Sequence, residues 1–315
     1  MKTNWERHNA IIHLPDEAIT SIVKSYYLHA IITSTSLLSG GLSHTNLKVD
    51  MANERPVVIR IARDSESLLR ENEVHRILPT SVRRPHFLHT TKWNGYSIGL
   101  LEWKEGVLLR DQLTNSSARE IREMGKSIGE QLACIREKRF TTYGFLDPNL
   151  DVMEEFRLTP QSFITTIESF FNNHASKWLP EHMPEKIIEF AKENAPLLKE
   201  DQSGAGLVHG DFNGLNILMT NTEVNAILDW EFALSGSIYF DIGNLLRYEF
   251  NHIDSFEQGL YEGLKNEGIS LPKQWKKLAK LADLIALCSL LDRVMCGENR
   301  VKDITRLIKQ TIHSE

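Results

Sequence analysis

An α+β fold with a β-rich first third and a mainly helical remainder is predicted by three observations on this 315-residue chain. Apolar residues follow a strand-like pattern from about residue 34 to 103 and switch to spacings of three and four beyond residue 110. One β segment, residues 206–233, intrudes into the helical part and carries several acids and amides close together. The apolar fraction of 41% and the charged fraction of 25% are those of an ordinary folded protein, long enough for one large domain or two lobes about a shared cleft.

The first part reads as strands around one helix. Ser36-Leu37-Leu38 precedes a glycine pair, and residues 46–49 and 57–62 form a hairpin across a polar turn. A helix is expected over 67–78, before Pro79 and Pro85 interrupt it and the alternating stretch 96–101 returns the chain to a sheet. Further on, Ile121, Met124, Ile128, Leu132 and Ile135 mark one apolar stripe of a core-lining helix. Other helices are expected over 161–171, 185–199, 256–266 and 278–295, the last apolar enough to be buried on most sides. Residues 217–219 and 224–228 read as a short hairpin. The division that follows is a first lobe over 1–101, a hinge at 102–106 and a second lobe over 107–315.

Composition removes several classes of function. Cys134, Cys288 and Cys296 are an odd number with no paired spacing, which argues against a disulfide framework and a zinc site and for a reducing compartment. No apolar run reaches membrane-spanning length and the first residues lack a secretory pattern, so a cytoplasmic location with no membrane partner is expected. The net charge of −6 is unevenly placed: residues 1–100 hold 12 Lys+Arg against 9 Asp+Glu, the rest 24 against 33. No basic patch for nucleic acid is visible. The acidic second part either suits a cationic ligand or reflects solvated helix faces.

The most informative segment runs from Leu207 through His209-Gly210-Asp211 to Asn216, with the following hairpin delivering Asp229. Phosphoryl transfer from ATP needs a carboxylate to accept the proton of an attacking hydroxyl, and oxygen ligands to hold Mg²⁺ against the phosphates. Asp211 fits the first task, Asn216 and Asp229 the second. His209 is read as a buried residue that orients the loop.

This H-G-D-x(4)-N segment, with Ile227-Leu228-Asp229-Trp230-Glu231 and Tyr239-Phe240-Asp241-Ile242-Gly243, resembles the aminoglycoside phosphotransferase-type kinases, which also include choline and macrolide kinases. The resemblance covers about residues 35–250. It implies a protein-kinase-like two-lobed fold, ATP (or GTP) and Mg²⁺ as cofactors, Asp211 as catalytic base, and Asn216 and Asp229 as metal ligands. Asp241 either supports the catalytic loop or caps a helix.

The first lobe then supplies the nucleotide contacts. Ser39 to Asn46 lie between two strands and offer backbone amides for phosphate, with Gly41 and Ser43 as candidates. Strand alternation puts Val58, Arg60 and Ala62 on one face, so an apolar side chain could cover adenine while the cation reaches the phosphates. By the resemblance, Arg60 stands where protein kinases carry lysine, and it either contacts phosphate or pairs with Glu71. Glu73 lies about 200° further round the helix and is the weaker partner. Leu101, Glu102, Trp103 and Lys104 form the segment that would read adenine through its backbone, with Trp103 flanking the nucleotide or packing under the linker. The acceptor implied is a small-molecule hydroxyl, an aminoglycoside or other cationic antibiotic first, with choline, another amino alcohol or a sugar as alternatives. A non-catalytic, nucleotide-binding pseudokinase is the alternative of another kind.

Overall fold

The structure, a computed structural model, describes residues 1–2, 5–7, 9–38 and 43–313. Its first layer is an antiparallel sheet of β1 (Ile32–Leu37), β2 (Thr45–Met51), β3 (Val57–Ala62), β4 (Phe87–Trp93) and β5 (Tyr96–Glu102), in the order β1-β2-β3-β5-β4. The alternation of β3 sorts its side chains: Val57, Ile59 and Ile61 are buried in a core with Ile98 and Leu100 of β5. That core is closed by α1 (Asp16–Lys24) through Ile19, Ile22 and Val23. Val58 and Arg60 point the other way, into the cleft. The helix α2 (Ser65–Ile77) is capped by Asp64, whose carboxylate accepts from the amides of Glu66 and Ser67, and lies against β3 and β5.

Past the link at 103–106 comes β6 (Val107–Leu108), then the short α3 (Leu109–Gln112) and the long α4 (Ala118–Arg136). A capping box of Ser117 and Glu120 starts α4, and all five residues of its predicted stripe are fully buried. The helical layer also contains α5 (Pro160–Asn173), α6 (Met183–Asn194), α7 (Tyr239–Leu245), α8 (Ile253–Asn266), α9 (Trp275–Leu291) and α10 (Glu298–Ile312). Helices α4 and α8 approach closely because both present glycines four apart, Gly125 and Gly129 against Gly259 and Gly263. A Cβ on Gly259 would stand 1.9 Å from the carbonyl oxygen of Arg122, so any larger residue must part the helices.

Two small sheets sit between the layers. One orders β11 (Glu223–Ile227), β10 (Ile217–Thr220) and β6; the other orders β8 (Val152–Glu155), β7 (Gly144–Leu146), β12 (Leu234–Gly236) and β9 (Gly206–Val208). The buried Arg136 at the end of α4 ties this second sheet down, donating to the carbonyls of Gly236 and Gly204, each at 2.7 Å.

Several elements differ from the sequence reading. The helix expected over 185–199 stops at Asn194, because Pro196 follows and the chain continues as a 3₁₀ turn, Ala195–Glu200. The one expected over 278–295 is α9, which ends at Leu291 and leaves Val294 and Met295 exposed. The first residues also depart from the expected division at 1–101. Trp5 joins the core of the helical layer, its indole donating to Asp303 of α10, and Lys2 reaches Asp211.

Candidate active site

Between the large sheet and the helical layer lies a cavity of about 1120 Å³, more than one small ligand requires. Ser43, Arg60, Glu71, Leu101, Glu102, Trp103 and Lys104 line it from one side, and Asp211, Asn216 and Asp229 from below. Of the residues singled out from sequence, His209 and Asp241 stand behind the wall, and Gly41 lies outside the described residues.

Strand β9 delivers the loop that begins at His209. Gly210 adopts φ +81° and passes so close to Phe232 that a Cβ would meet its carbonyl oxygen at 2.2 Å, so glycine is required there. Asp241 is fully buried at the start of α7, and its carboxylate accepts from the amides of His209 at 2.8 Å and Gly210 at 3.0 Å. Burial pushes the Asp241 carboxyl up, while His209 and these two amides pull it back toward the charged form. The His209 ring is also fully buried. Its Nε2 donates to the carbonyl of Leu228 at 2.8 Å, which leaves Nδ1 to accept from the amide of Asp211 at 3.2 Å. The imidazole therefore braces the loop against the β11 exit.

Asp211 is fixed from both sides. Asn213 Nδ2 donates to its Oδ1 at 2.9 Å and Asn216 Nδ2 to its Oδ2 at 3.0 Å, and both amides also reach its carbonyl. The Lys2 ammonium sits on the carboxylate at 2.8 and 2.9 Å. Neither Asn213 nor Lys2 was singled out from sequence: Asn213 is one of the four unspecified positions of the loop, and Lys2 is over two hundred residues away.

Asp229 follows β11 with φ +68°, a left-handed conformation that is strained for a residue other than glycine and gathers at functional sites. Backbone pairing of Leu228 with Asn216, amide to carbonyl at 2.8 Å, sets the two candidate ligands on neighbouring strand ends. The Asn216 amide nitrogen is committed to Asp211, so its oxygen is the atom a cation would take. With the Asp229 carboxylate this makes an all-oxygen donor set of the kind Mg²⁺ prefers, and the residues fit the ion. His44 and Glu231, joined at 2.7 Å, bring further donors within 4.8 Å of Asp229. Glu231 was legible as part of the Asp-Trp-Glu run, but His44 carried no signal beyond its place after the glycine pair.

Arg60 pairs with both acids near it, with Glu71 at 2.9 Å and with Asp229. Burial acts against its charge, but Glu71, Asp229 and Glu231 outweigh that and hold it protonated. Burial would also raise Asp229, yet Arg60 and His44 keep it below the ordinary carboxylate range. Glu71 itself is fully buried and is pushed up to about 7 by desolvation, against the pull of Arg60. The same helix turn holds the segment after Asp229 in place: Arg70 donates to the carbonyl of Glu231 at 2.9 Å, and Glu71 accepts from the amide of Trp230 at 3.4 Å. Glu73 instead pairs with Arg76 on the surface.

At the hinge the amides of Glu102 and Trp103 are already engaged, by the carbonyls of His86 at 2.9 Å and Pro56 at 3.3 Å. The Trp103 ring lies under the Lys48 ammonium, 4.7 Å from its centre, and its indole donates to Glu105.

A family model described as "Phosphotransferase enzyme family" matches residues 34–269. No curated protein sequence matches the chain. Among solved structures, that of aminoglycoside phosphotransferase APH(4)-Ia superposes with a TM-score of 0.68 at 14% identity, over 96% of this chain and 100% of that one. A streptomycin-ATP-APH(2")-IIa ternary complex gives 0.65 at 17% identity, over 96% and 99%. These likenesses extend across both layers and the cleft between them. With the family match over most of its length, the chain belongs to the phosphotransferase enzyme family and is a small-molecule phosphotransferase with a kinase-like α+β fold.

Proposed function

We propose that this enzyme transfers the γ-phosphoryl group of ATP to a hydroxyl of a cationic small molecule, with Asp211 as catalytic base. The observation that carries this reading is the meeting of Asp211, Asn216 and Asp229 on one side of a cavity whose other side presents Arg60 and the 101–104 segment. Asp211 orients the acceptor hydroxyl and accepts its proton as the new phosphate ester forms. Asn213 and Asn216 hold the carboxylate so that its oxygens face the cleft. Asn216 and Asp229 would hold Mg²⁺, which supplies charge neutralisation on the phosphate oxygens when bound. Arg60, positioned by Glu71, reaches the phosphates from above, and Ser43 lies on the same side with its backbone. The backbone contacts to the base fall to the Lys104 end of the hinge, since the amides of Glu102 and Trp103 are engaged elsewhere and Leu101 is paired within the sheet with Val58 and Phe87, lending its side chain to the cavity. His209 and Asp241 set the loop and do not exchange protons with the acceptor. Entry of an acceptor hydroxyl displaces the Lys2 ammonium from Asp211.

Support for a cationic acceptor comes from solved structures of similar fold that hold hygromycin B, streptomycin and gentamicin. Aminoglycosides are therefore the first acceptors to test, then macrolides, choline, other amino alcohols and sugars. The experiment is an ATP-consumption screen over that panel with Mg²⁺ present. We expect at least one acceptor to raise ATP turnover well above the acceptor-free rate, and a flat response alongside tight Mg-ATP binding would instead favour a pseudokinase.

A further inference from the structure

The acceptor half of the cavity has a different chemistry from the nucleotide half. Phe145, Met153 and Phe232 are large apolar residues left 46%, 64% and 50% exposed, and all three line the cavity. Leaving such side chains in water forgoes the burial that most of their kind gain on folding, so a cluster of them at one opening marks a surface that a ligand covers. Behind them an aromatic row runs inward: Phe145 stacks on Phe156 at 5.9 Å, and Phe156 meets Phe240 at 6.3 Å. The opposite wall, from α5 and α9, adds Phe170, Ile285 and Leu290, with Ser169 and Ser289 as hydroxyls.

The charges of this half point the same way. Among the described residues that line it, the acids are Asp211 and Glu154, the latter at the exposed mouth. Asp211 already carries the Lys2 ammonium. Arg247, also on this wall, is neutralised by Asp283 in a buried pair at 2.6 Å. The acid excess of the second part of the chain lies on solvated helix faces instead, at residues such as Glu123, Glu137, Glu185 and Glu193. A ligand with several ammonium groups would meet a wall with few carboxylates to pair with them.

We infer that the acceptor is a hydroxyl compound with a broad apolar body and at most one ammonium group, seated on the Phe145–Phe156–Phe240 row. This rests on the phosphotransferase reading and narrows its acceptor class. The apolar face provides binding energy away from the reacting hydroxyl, and the one ammonium group is accommodated at the mouth beside Glu154.

The test compares two probes by calorimetry on full-length enzyme loaded with Mg²⁺ and a non-hydrolysable ATP analogue. Erythromycin carries one dimethylamino sugar on a large apolar ring, and gentamicin is a compact polyamine. We expect erythromycin to bind about tenfold or more tighter, with less than about a twofold change between 0.15 and 0.5 M salt, since ionic contacts contribute little. Phe145→Ala and Met153→Ala, which truncate exposed side chains and so leave folding intact, should each weaken that binding by about five- to tenfold through lost apolar contact. Gentamicin binding as tightly, neither probe binding, or both variants binding like the parent overturns the inference. Erythromycin bound as expected while no acceptor in the panel consumes ATP would leave this inference standing and count against the phosphotransferase reading.

Discussion

The two halves of the cleft are built on opposite principles. On the nucleotide side, Arg60, Glu71, Asp229, Asn216 and Asp211 hold one another through ion pairs and amide hydrogen bonds, and most are buried. On the acceptor side, Phe145, Met153 and Phe232 stand partly in water, with few polar partners to fix them. Charged groups need exact placement because their strength depends steeply on distance and desolvation, so that half is preorganised. An apolar wall acts through area and tolerates many shapes, so the same chemistry can be kept while the acceptor changes.

The comparison can be broken most sharply at Asp229. We expect Asp229→Ala to lower Mg-dependent ATP binding by about two orders of magnitude or more, read by calorimetry, because it removes a metal ligand. Unchanged binding would mean that the acid serves only as the partner of Arg60.

A smaller effect is expected from the helical scaffold that packs behind β9 and β11. Gly259→Ala would drive a Cβ into the Arg122 carbonyl oxygen, and we expect a loss of about 1 to 3 kcal/mol from the denaturant midpoint. Substitution at the exposed Met153 should leave that midpoint nearly unchanged.

The smallest effect concerns His75, which lines the nucleotide side and is buried against Phe87 and Trp230. Burial first, then Arg84 and Arg60, depresses its pKa to about 3. The unfolded chain takes up this proton below about pH 6.5 and the folded chain does not. Stability from this group is thus present at pH 7 and is lost as the pH falls from about 6.5 toward 3. At pH 5 the loss is about 2 kcal/mol. In His75→Leu that part of the slope should vanish in a midpoint-against-pH series, and parallel curves for the two proteins would contradict it.

What the sequence disclosed follows the same division. The loop from His209 to Asn216 and the acid at 229 are close in the chain, and hydrogen-bonding chemistry dictates their types, so spacing alone was enough to single them out. Arg60 and Glu71 were legible through strand and helix periods, and in the structure Arg60 pairs with Glu71 and Asp229. The stripe of α4 was legible because burial on one side imposes its own period. By contrast, the aromatic row draws Phe145, Phe156 and Phe240 from separate elements whose meeting depends on tertiary packing. The acid excess of the second part could not be placed from composition, since a count of charges does not say which face they occupy. Lys2 and Trp5 were illegible for a similar reason: a short polar leader carries no period, and only the folded chain brings it to α10 and Asp211.

The most direct test is a paired measurement on Asp211→Ala, once the screen has supplied an acceptor: Mg-ATP affinity by calorimetry and phosphoryl-transfer turnover on the same preparation. We expect affinity within about twofold of the parent and turnover lower by about three orders of magnitude or more, because the carboxylate acts on the acceptor hydroxyl and not on the nucleotide. Turnover equal to that of the parent would contradict the assignment of Asp211 as the base and, with it, the reading of the cleft.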